Sequence, residues 1–330
     1  MTTATFLVSP PPPNWRADGG EEGNQRAKNA KTQEGVSPRQ ALLEWIAFVD
    51  YLVYVLGARV IVMPPPPSDF GIFDTCYIRD TFIYVPGRGC LMSKMRAKHR
   101  LEEPAYVANF LSDELELTIY GAMESTCEGD SCYFLLPGGT GLVAGYGSRA
   151  DQEAAEELGT IFRFDQDHVA ALYLEPTNFH LDTAGAPVAS RQHAVLMCRE
   201  ALAPRRHKWN PLDAWAKLET MCDRDGSKLV AVHKRDAQQF GTNLRDVNGQ
   251  IIAPPGLSDE YWGVLNELGY IRHDELPLPQ LLGKGGGFAG CLSNPLTKAF
   301  DGCGLPPKYT WEAQKPKIYG LVTQYPTRVI

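Results

Sequence analysis

The chain has 330 residues and a formal net charge of −7 at pH 7. Hydrophobic residues make up 44% and charged residues 22%, as in folded globular proteins, so the composition excludes a disordered or fibrous chain. The acidic balance argues against a nucleic-acid partner, because nucleic-acid binders usually present a basic surface to phosphates.

The sequence gives no sign of a membrane segment, which would need roughly 18 to 20 consecutive apolar residues. The longest apolar stretch, 41–56, is interrupted by Glu44 and Asp50, and the N-terminus lacks the basic and apolar parts of a signal peptide. We therefore expect a cytoplasmic protein. The eight cysteines show no CxxC spacing, which predicts reduced, mostly buried thiols and no metal site.

The first feature in chain order is the polar segment 16–36, which holds almost no apolar side chains and is predicted to be a flexible loop or lid. Ser37 and Pro38 then stand where a helix N-cap and first helical residue would stand, and the apolar face that follows runs to Gly57. A buried strand is predicted at 59–63.

Strands and helices continue to alternate along the rest of the chain, without long spacers. Strands are predicted at 81–85, 131–136, 141–146, 169–174 and 194–198, and helices at 96–111, from a cap at Ser148, at 210–221 and at 258–268. This alternation predicts one α/β domain that spans residues 1–330.

Three polar motifs, at Asp80, Asp130 and His180, adjoin strand-like segments and lie 50 residues apart. A period of about 50 residues is typical of propeller-like units that each bring an equivalent loop to a shared axis. No repeated side-chain pattern accompanies the spacing, so coincidence is the alternative interpretation.

Cys291 ends a glycine-rich segment, 285–290, whose backbone can approach a ligand closely. Such a loop favours an accessible thiol, in contrast to the apolar surroundings of Cys132 and Cys198. The alternative is a turn that leads into a strand with a buried cysteine. A single cysteine becomes a candidate nucleophile only when a histidine from elsewhere in the chain joins it.

His180 lies at the end of an apolar run and is followed two residues later by Asp182. In an extended segment these two side chains point to the same face, so they could share one pocket. A lone histidine is more often structural, but a carboxylate on the same face can orient the imidazole and favours an acid/base role.

Acidic residues form the third element of the pattern. Asp80, Glu128 and Asp130 lead into strand-like sequence, where ionised side chains are unfavourable unless they are paired. Each one alone is typical of a turn or cap. Several together would hold a planar cation with many N–H donors, as carboxylates hold arginine.

Taken in order, these motifs resemble the guanidino-modifying enzymes of the pentein fold, the group of arginine deiminases, dimethylargininases and amidinotransferases. The motifs are YIRDT at 77–81, EGD at 128–130, GYGSRAD at 145–151, FHLDT at 179–183 and GGGFAGC at 285–291. HLDT is the most specific of them, and the glycine-rich approach to a late cysteine comes next.

The resemblance implies a pentein, an α/β propeller with pseudo-fivefold repeats of a ββαβ unit around a central active site. It also implies that Cys291 is the covalent nucleophile, that His180 is the general acid/base, and that no cofactor is needed. Asp80 and Asp182 would bind the guanidinium nitrogens, and an acid of the EGD motif would complete the site.

The sequence departs from the family pattern in two places. The family's third motif usually reads EGGD or EGxGD, and here it is one residue short, so Glu128 and Asp130 compete for the roles of supporting the histidine and binding substrate. Gly290 stands where many relatives have a histidine. Arg149 and Arg79 could bind a substrate carboxylate, although a structural ion pair is the favoured alternative for both.

The predicted function is a hydrolase that attacks the guanidinium group of arginine or an arginine derivative through an S-alkylthiouronium on Cys291. An amine in place of water would make the enzyme an amidinotransferase. A noncatalytic pentein binding protein is the alternative from another class, and the acidic charge disfavours it. The predicted partner is a small guanidino molecule, and a homodimer is compatible with the sequence.

Overall fold

The computed structural model describes residues 3–17, 35–204, 213–272 and 276–328. The segment 16–36, predicted as a loop or lid, lies almost entirely outside the described residues. Within the described part of the chain, no helix is both long enough and apolar enough to cross a membrane.

The described strands form five small sheets rather than one large sheet. The first contains β1 (Thr5–Val8), β2 (Arg59–Val62) and β14 (Asn294–Pro295), and the second β3 (Phe82–Val85), β4 (Gly89–Met92) and β5 (Ile119–Ala122). The third contains β6 (Tyr133–Leu135), β7 (Leu142–Tyr146) and β8 (Val169–Tyr173), and the fourth β9 (Gly185–Val188), β10 (Ala194–Met197) and β11 (Lys228–Ala231). The fifth is the hairpin of β12 (Arg245–Val247) and β13 (Gln250–Ile252).

Helices lie between these strands along the chain, and the last helix follows β14. They are α1 (Pro38–Asp50), α2 (Glu103–Asn109), α3 (Ala154–Phe162), α4 (Ala214–Asp225), α5 (Lys234–Gln238), α6 (Asp259–Glu267) and α7 (Trp311–Leu321). The predicted α/β class is confirmed.

The four three-stranded sheets share one arrangement. The central strand of each, β1, β4, β7 or β10, pairs antiparallel with one neighbour and parallel with the other. A parallel neighbour requires a crossover, and a helix between the two strands supplies it in each case, so the local unit is ββαβ. β14 takes the antiparallel place in the first sheet, where the chain's early and late segments meet.

Helix α1 begins where the sequence predicts. The Ser37 hydroxyl oxygen accepts a hydrogen bond from the Gln40 backbone N–H, and Pro38 is the first helical residue, where its missing N–H is harmless. The helix continues as a π-helical turn at Tyr51–Val55, and the chain reverses at Gly57 with a φ of 66°. The apolar face of α1 packs into the core cluster that also contains Trp15, Trp311 and Cys291.

Two predicted helix starts are wrong. Helix α3 begins after Glu153 rather than at Ser148, because the chain from Gly147 to Ala150 forms a tight turn closed by a backbone hydrogen bond. The predicted helix at 96–111 begins only at Glu103. A 3-10 turn at Lys98–Arg100 precedes it and buries the arginine.

Candidate active site

The candidate site is built from short turns that precede the first strand of successive sheets. Three of them are 3-10 turns, at Ile78–Asp80 before β3, at Gly129–Ser131 before β6 and at Leu181–Thr183 before β9. Counted back from the first residue of each strand, the third residue is Arg79 before β3, Asp130 before β6 and Asp182 before β9. Cys291 occupies the same position before β14. The turns therefore bring four chemically active side chains from equivalent positions.

These four side chains meet in the interior. Arg79 donates from Nε to Asp130 Oδ2 at 3.0 Å and from Nη1 to Asp182 Oδ2 at 3.2 Å. Cys291 Sγ lies 3.7 Å from the same oxygen of Asp182. Arg79 thus forms a structural ion pair with two acids, the alternative that the sequence favoured.

His180 is held by Glu128. Its Nε2 lies 2.9 Å from Glu128 Oε2, and both side chains are buried. Glu128 also accepts hydrogen bonds from the backbone N–H groups of Arg96 and Ala97 and from Nη1 of Arg149. Burial would raise the pKa of Glu128, but Arg149 and His180 outweigh it and hold the pKa well below its usual range. The carboxylate is therefore ionised and fixes the imidazole ring.

The other ring nitrogen of His180 has different surroundings. Nδ1 is buried, has no hydrogen-bond partner in the described chain, and lies 3.8 Å from Asp80 Oδ1. The backbone of His180 is extended, but Asp182 lies in the 3-10 turn that follows it. Contrary to the prediction, the two side chains therefore do not share one face of a strand. The imidazole therefore offers Nδ1 to a ligand while Nε2 is engaged.

Cys291 is buried, with a relative exposure of 3%, so the expectation of an accessible thiol is wrong. Burial raises the pKa of its thiol well above the usual value, and Asp182 and Asp80 raise it further. Arg79 and Asn243 act in the opposite direction without cancelling this effect. The resting group is therefore a neutral thiol.

The glycine-rich segment before Cys291 packs too closely for side chains. A Cβ atom would lie 1.8 Å from the Tyr77 hydroxyl at Gly285, 2.5 Å from the Tyr77 ring at Gly287 and 2.9 Å from the Asn243 side chain at Gly290. These contacts explain the burial of the thiol, because the segment closes against its neighbours instead of opening to solvent.

Asn243 is a site residue that the sequence did not reveal. Its Oδ1 accepts from the backbone N–H groups of Phe288 and Cys291, at 3.1 and 3.2 Å, and its Nδ2 donates to Cys291 Sγ at 3.1 Å. It stands two residues before β12, as Asp80 stands two residues before β3. This position relative to the strand could have revealed Asn243 from the sequence. Asn243 does not, however, continue the 50-residue spacing of Asp80, Asp130 and His180.

Arg100 is a second such residue. Its Nη1 donates to Asp80 Oδ2 at 2.5 Å, and its Nε and Nη2 both bind Glu103. The other oxygen of Asp80 accepts from the Ser131 hydroxyl. The surrounding sequence, KHRLEE, is typical of an exposed helix, so nothing in it marked Arg100 as a buried residue.

One small cavity joins most of these side chains, with an empty volume of about 360 Å³. Its lining contains Asp74, Tyr77, Asp80, His99, Arg100, Arg149, Phe179, His180, Gly285, Gly286, Gly287 and Cys291. Of the predicted site residues, Cys291, His180, Asp80 and Arg149 line this cavity, while Glu128 and Asp182 contact it through His180 and Cys291. Asp130 lines a different cavity.

Arg149 points its charge at Glu128. Its Nη1 lies 3.0 Å from Glu128 Oε2, and its guanidinium carbon lies 5.9 Å from the centre of the Phe179 ring. This is the ion pair that the sequence favoured as the alternative, and the binding of a substrate carboxylate by Arg149 stays a prediction.

Three buried side chains of the site have the spacing of metal ligands. Asp80, Glu128 and His180 each offer one ligand atom, and these atoms lie within 4.8 Å of one another. Both carboxylates, however, are already paired with arginine, Asp80 with Arg100 and Glu128 with Arg149. The arrangement suits a hydrogen-bonded network better than a cation cage, whose ligands keep their negative charge for the ion.

The fold is that of solved guanidino-modifying enzymes of the pentein type. The structural neighbours include the N-terminal domain of ArgZ, described as an arginine dihydrolase from the ornithine–ammonia cycle in cyanobacteria. It matches with a TM-score of 0.72 and 23% identity over 89% of this chain and 97% of that one. The N-terminal domain of an ArgZ variant has also been solved covalently bound to a reaction intermediate.

Two further structures match over 89% of this chain. AgrE, in a complex with ornithine and NAD⁺, has a TM-score of 0.70 at 23% identity, and the match covers 39% of its length. A dimethylarginine dimethylaminohydrolase adduct with S-methyl-L-thiocitrulline has a TM-score of 0.63 at 15% identity, with 99% of its length covered. At these identities the likeness establishes a shared fold. No protein-family model matches the sequence, and no curated protein does.

Proposed function

We propose that this chain is a cysteine-dependent hydrolase of the guanidinium group of arginine or an arginine derivative. One observation carries the proposal: in the described chain, His180 Nδ1 and Asp182 Oδ1 are buried without hydrogen-bond partners. His180 lines the same cavity as Cys291, and Asp182 contacts its thiol. An unpartnered buried polar atom costs about 1 to 3 kcal/mol. A guanidinium in the cavity would supply the donor that the carboxylate oxygen lacks.

The charge around the cavity supports a cationic ligand. The acids that line or back it are Asp74, Asp80, Glu103, Glu128 and Asp182, and the arginines are Arg79, Arg100 and Arg149. Five carboxyl groups therefore accompany three arginines, and the two histidines of the lining, His99 and His180, lie against Asp74 and Glu128. A planar cation with several N–H donors satisfies such a surface better than a neutral or anionic molecule.

Bound guanidinium would activate the thiol. The added positive charge opposes the effect of Asp182 and Asp80, lowers the pKa of Cys291 and favours the thiolate. The thiolate then attacks the guanidinium carbon, and the proton released from the thiol passes through His180 to the departing nitrogen. The product of this half-reaction is an S-alkylthiouronium on Cys291.

Water completes the reaction in this proposal. His180, held by Glu128, takes a proton from water as it attacks the thiouronium carbon, and the carbon–sulfur bond breaks to return the thiol. The arginine dihydrolase and dimethylarginine dimethylaminohydrolase descriptions of the structural neighbours support hydrolysis. An amine acceptor in place of water would make the chain an amidinotransferase.

The proposal includes the architecture as well. We infer that residues 1–330 form one pentein domain in which the five sheets surround a pseudo-fivefold axis. The four ββαβ units support this inference, as does the convergence of Arg79, Asp130, Asp182 and Cys291 from equivalent positions. A single axis explains why these side chains meet.

The test is turnover on a panel of arginine, Nω-methylarginine and agmatine, with ammonia, ureido products and transferred amidine followed by mass spectrometry. Cys291→Ala should abolish turnover, whereas Cys303→Ala, at an exposed cysteine outside the cavity, should keep it. Substrate-dependent mass on the Cys291 peptide identifies the adduct. Retained turnover in Cys291→Ala overturns the covalent mechanism, and transfer to an added amine would identify the transferase.

A further inference from the structure

A second cavity, with an empty volume of about 790 Å³, contains neither Cys291 nor His180 in its lining. Its polar side chains include Arg79, Asp130, Arg245 and Lys298. Three cationic groups therefore face one carboxylate, the reverse of the balance around Cys291. The cavity shares Arg79 with the site described above and extends from it in another direction.

Arg245 is the most unusual of these groups. Its exposure is 9%, and its Nε donates to the Ser293 hydroxyl at 2.8 Å while its Nη2 donates to the Gly290 carbonyl at 2.7 Å and to the Ser293 carbonyl. Within the described residues it forms no ion pair with a carboxylate. A buried charge without a counter-ion is strongly unfavourable, so this guanidinium is poised for an anion.

The neighbours of Arg245 reinforce this interpretation. Burial lowers the pKa of Arg245, the positive charge of Arg79 lowers it further, and the more distant charges of Asp130 and Asp182 only partly compensate, so the pKa falls to about 9. Asp130 is already paired with Arg79 at 3.0 Å. Lys298 is exposed at the rim and has no ion pair with a described residue, so it is available to a ligand.

The rest of the lining is apolar and largely aromatic. It includes Tyr84, Tyr133, Phe134, Phe162, Pro187 and Pro295. The rings of Tyr133 and Phe162 lie 5.1 Å apart and form one wall. A ligand here would therefore meet charge at one end and ring surfaces along its body, which is the usual composition of a small-molecule site.

We propose that this cavity binds a small organic anion, with its carboxylate or phosphate group between Arg245 and Lys298 and an aromatic body against Tyr133 and Phe162. Nε and Nη2 of Arg245 already bind the loop around Cys291, which leaves Nη1 to donate to either head group. The site lies behind the loop of Cys291, because Arg245 holds the Gly290 carbonyl next to that cysteine. It is distinct from the proposed guanidinium site, which is acidic.

The test is isothermal titration calorimetry of the full chain with benzoate, phenyl phosphate and acetate at constant ionic strength. We expect saturable one-site binding of benzoate or phenyl phosphate, with the tighter of the two identifying the head group, and weaker binding of acetate. Lys298→Gln and Arg245→Gln should each weaken binding about tenfold or more. Lys317→Gln removes the same charge from an exposed position outside the cavity and should leave the affinity unchanged.

Two results would overturn the proposal: no saturable binding of either aromatic anion, or an affinity that Lys298→Gln leaves unchanged. Acetate binding as tightly as benzoate would overturn the aromatic part of the site. Arg245→Gln could impair folding, because Arg245 bonds the loop around Cys291. Lys298 is exposed, so its variant decides the question alone.

Discussion

Glu128 and His180 form a buried hydrogen bond of 2.9 Å between Oε2 and Nε2. This bond engages one ring nitrogen and directs the other, Nδ1, towards Asp80 and the cavity. The sequence left Glu128 and Asp130 in competition for this contact. The hydrogen bond is made by Glu128, while Asp130 pairs with Arg79. In the proposed reaction Glu128 is therefore a positioning residue that acts through His180.

Glu128→Gln should lower kcat by about 100-fold or more, because the amide keeps the size of the side chain but loses the charge that orients His180. Measured kcat and KM should show the loss mainly in kcat. Asp69→Asn, at an exposed acid outside both cavities, should leave kcat unchanged. Equal kcat values for Glu128→Gln and the parent chain, with folding confirmed by circular dichroism, would contradict the role of Glu128.

Cys291 should react slowly with iodoacetamide at pH 7 and faster as the pH rises, because burial, Asp182 and Asp80 raise the pKa of its thiol. Asp182→Asn removes a negative charge near the sulfur, so it should lower that pKa and speed alkylation at pH 8. The rates are best followed by peptide mass spectrometry in a Cys303→Ala background, since Cys303 is exposed. Slower alkylation in Asp182→Asn would reverse the predicted sign.

Asn243 offers a pair of substitutions that separate folding from chemistry. Asn243→Ala leaves the buried N–H groups of Phe288 and Cys291 without an acceptor and should lower the free energy of unfolding by about 1 to 3 kcal/mol. Asn243→Asp keeps an acceptor but removes the donor to the sulfur, so it should retain more stability and still slow alkylation of Cys291. Urea unfolding measures the stability of the two variants, and alkylation rates measure the reactivity of Cys291. Equal stability of the two variants would contradict the role of Asn243 as a hydrogen-bond acceptor.

Glu44 should make stability depend on pH. Burial raises its pKa from 4.5 to about 7, against the opposing hydrogen bonds from the backbone of Leu281 and Gln280. Because the folded pKa is the higher one, its contribution is fully present below pH 4.5 and is lost as the pH rises through 7, by about 3 kcal/mol at most. Urea unfolding of Glu44→Gln between pH 5 and pH 8 should lack this decline. If Glu44→Gln showed the same decline in stability, a group other than Glu44 would be responsible for it.

The sequence predicted the elements whose signals are local. The α/β class is confirmed, and so is the start of α1 at Ser37 and Pro38, because a cap hydroxyl and a proline act within one turn of helix. The helix expected from Ser148 failed for a tertiary reason: Ala150 bridges to Cys127, and the chain must turn before it can coil.

The site was harder to predict because distant segments decide its environment. Cys291 is buried by Tyr77 and Asn243, which lie far from it in sequence, so a glycine-rich loop alone could not reveal its exposure. The acids were recognised by type, but their assignment to one cavity or another follows from ion pairs with Arg79 and Arg100. Such pairs leave no periodic pattern in a sequence.

The place of β1 between β2 and β14 has a consequence for biosynthesis. This strand is synthesised before Asn294 and Pro295, so one of its edges has no partner until they follow. Cys291 lies in the turn just before β14, so the thiol is positioned in the step that covers this edge. Until then a nascent chain presents an open strand that neighbouring chains can join. Maturation of the site and protection against aggregation thus coincide with the synthesis of β14.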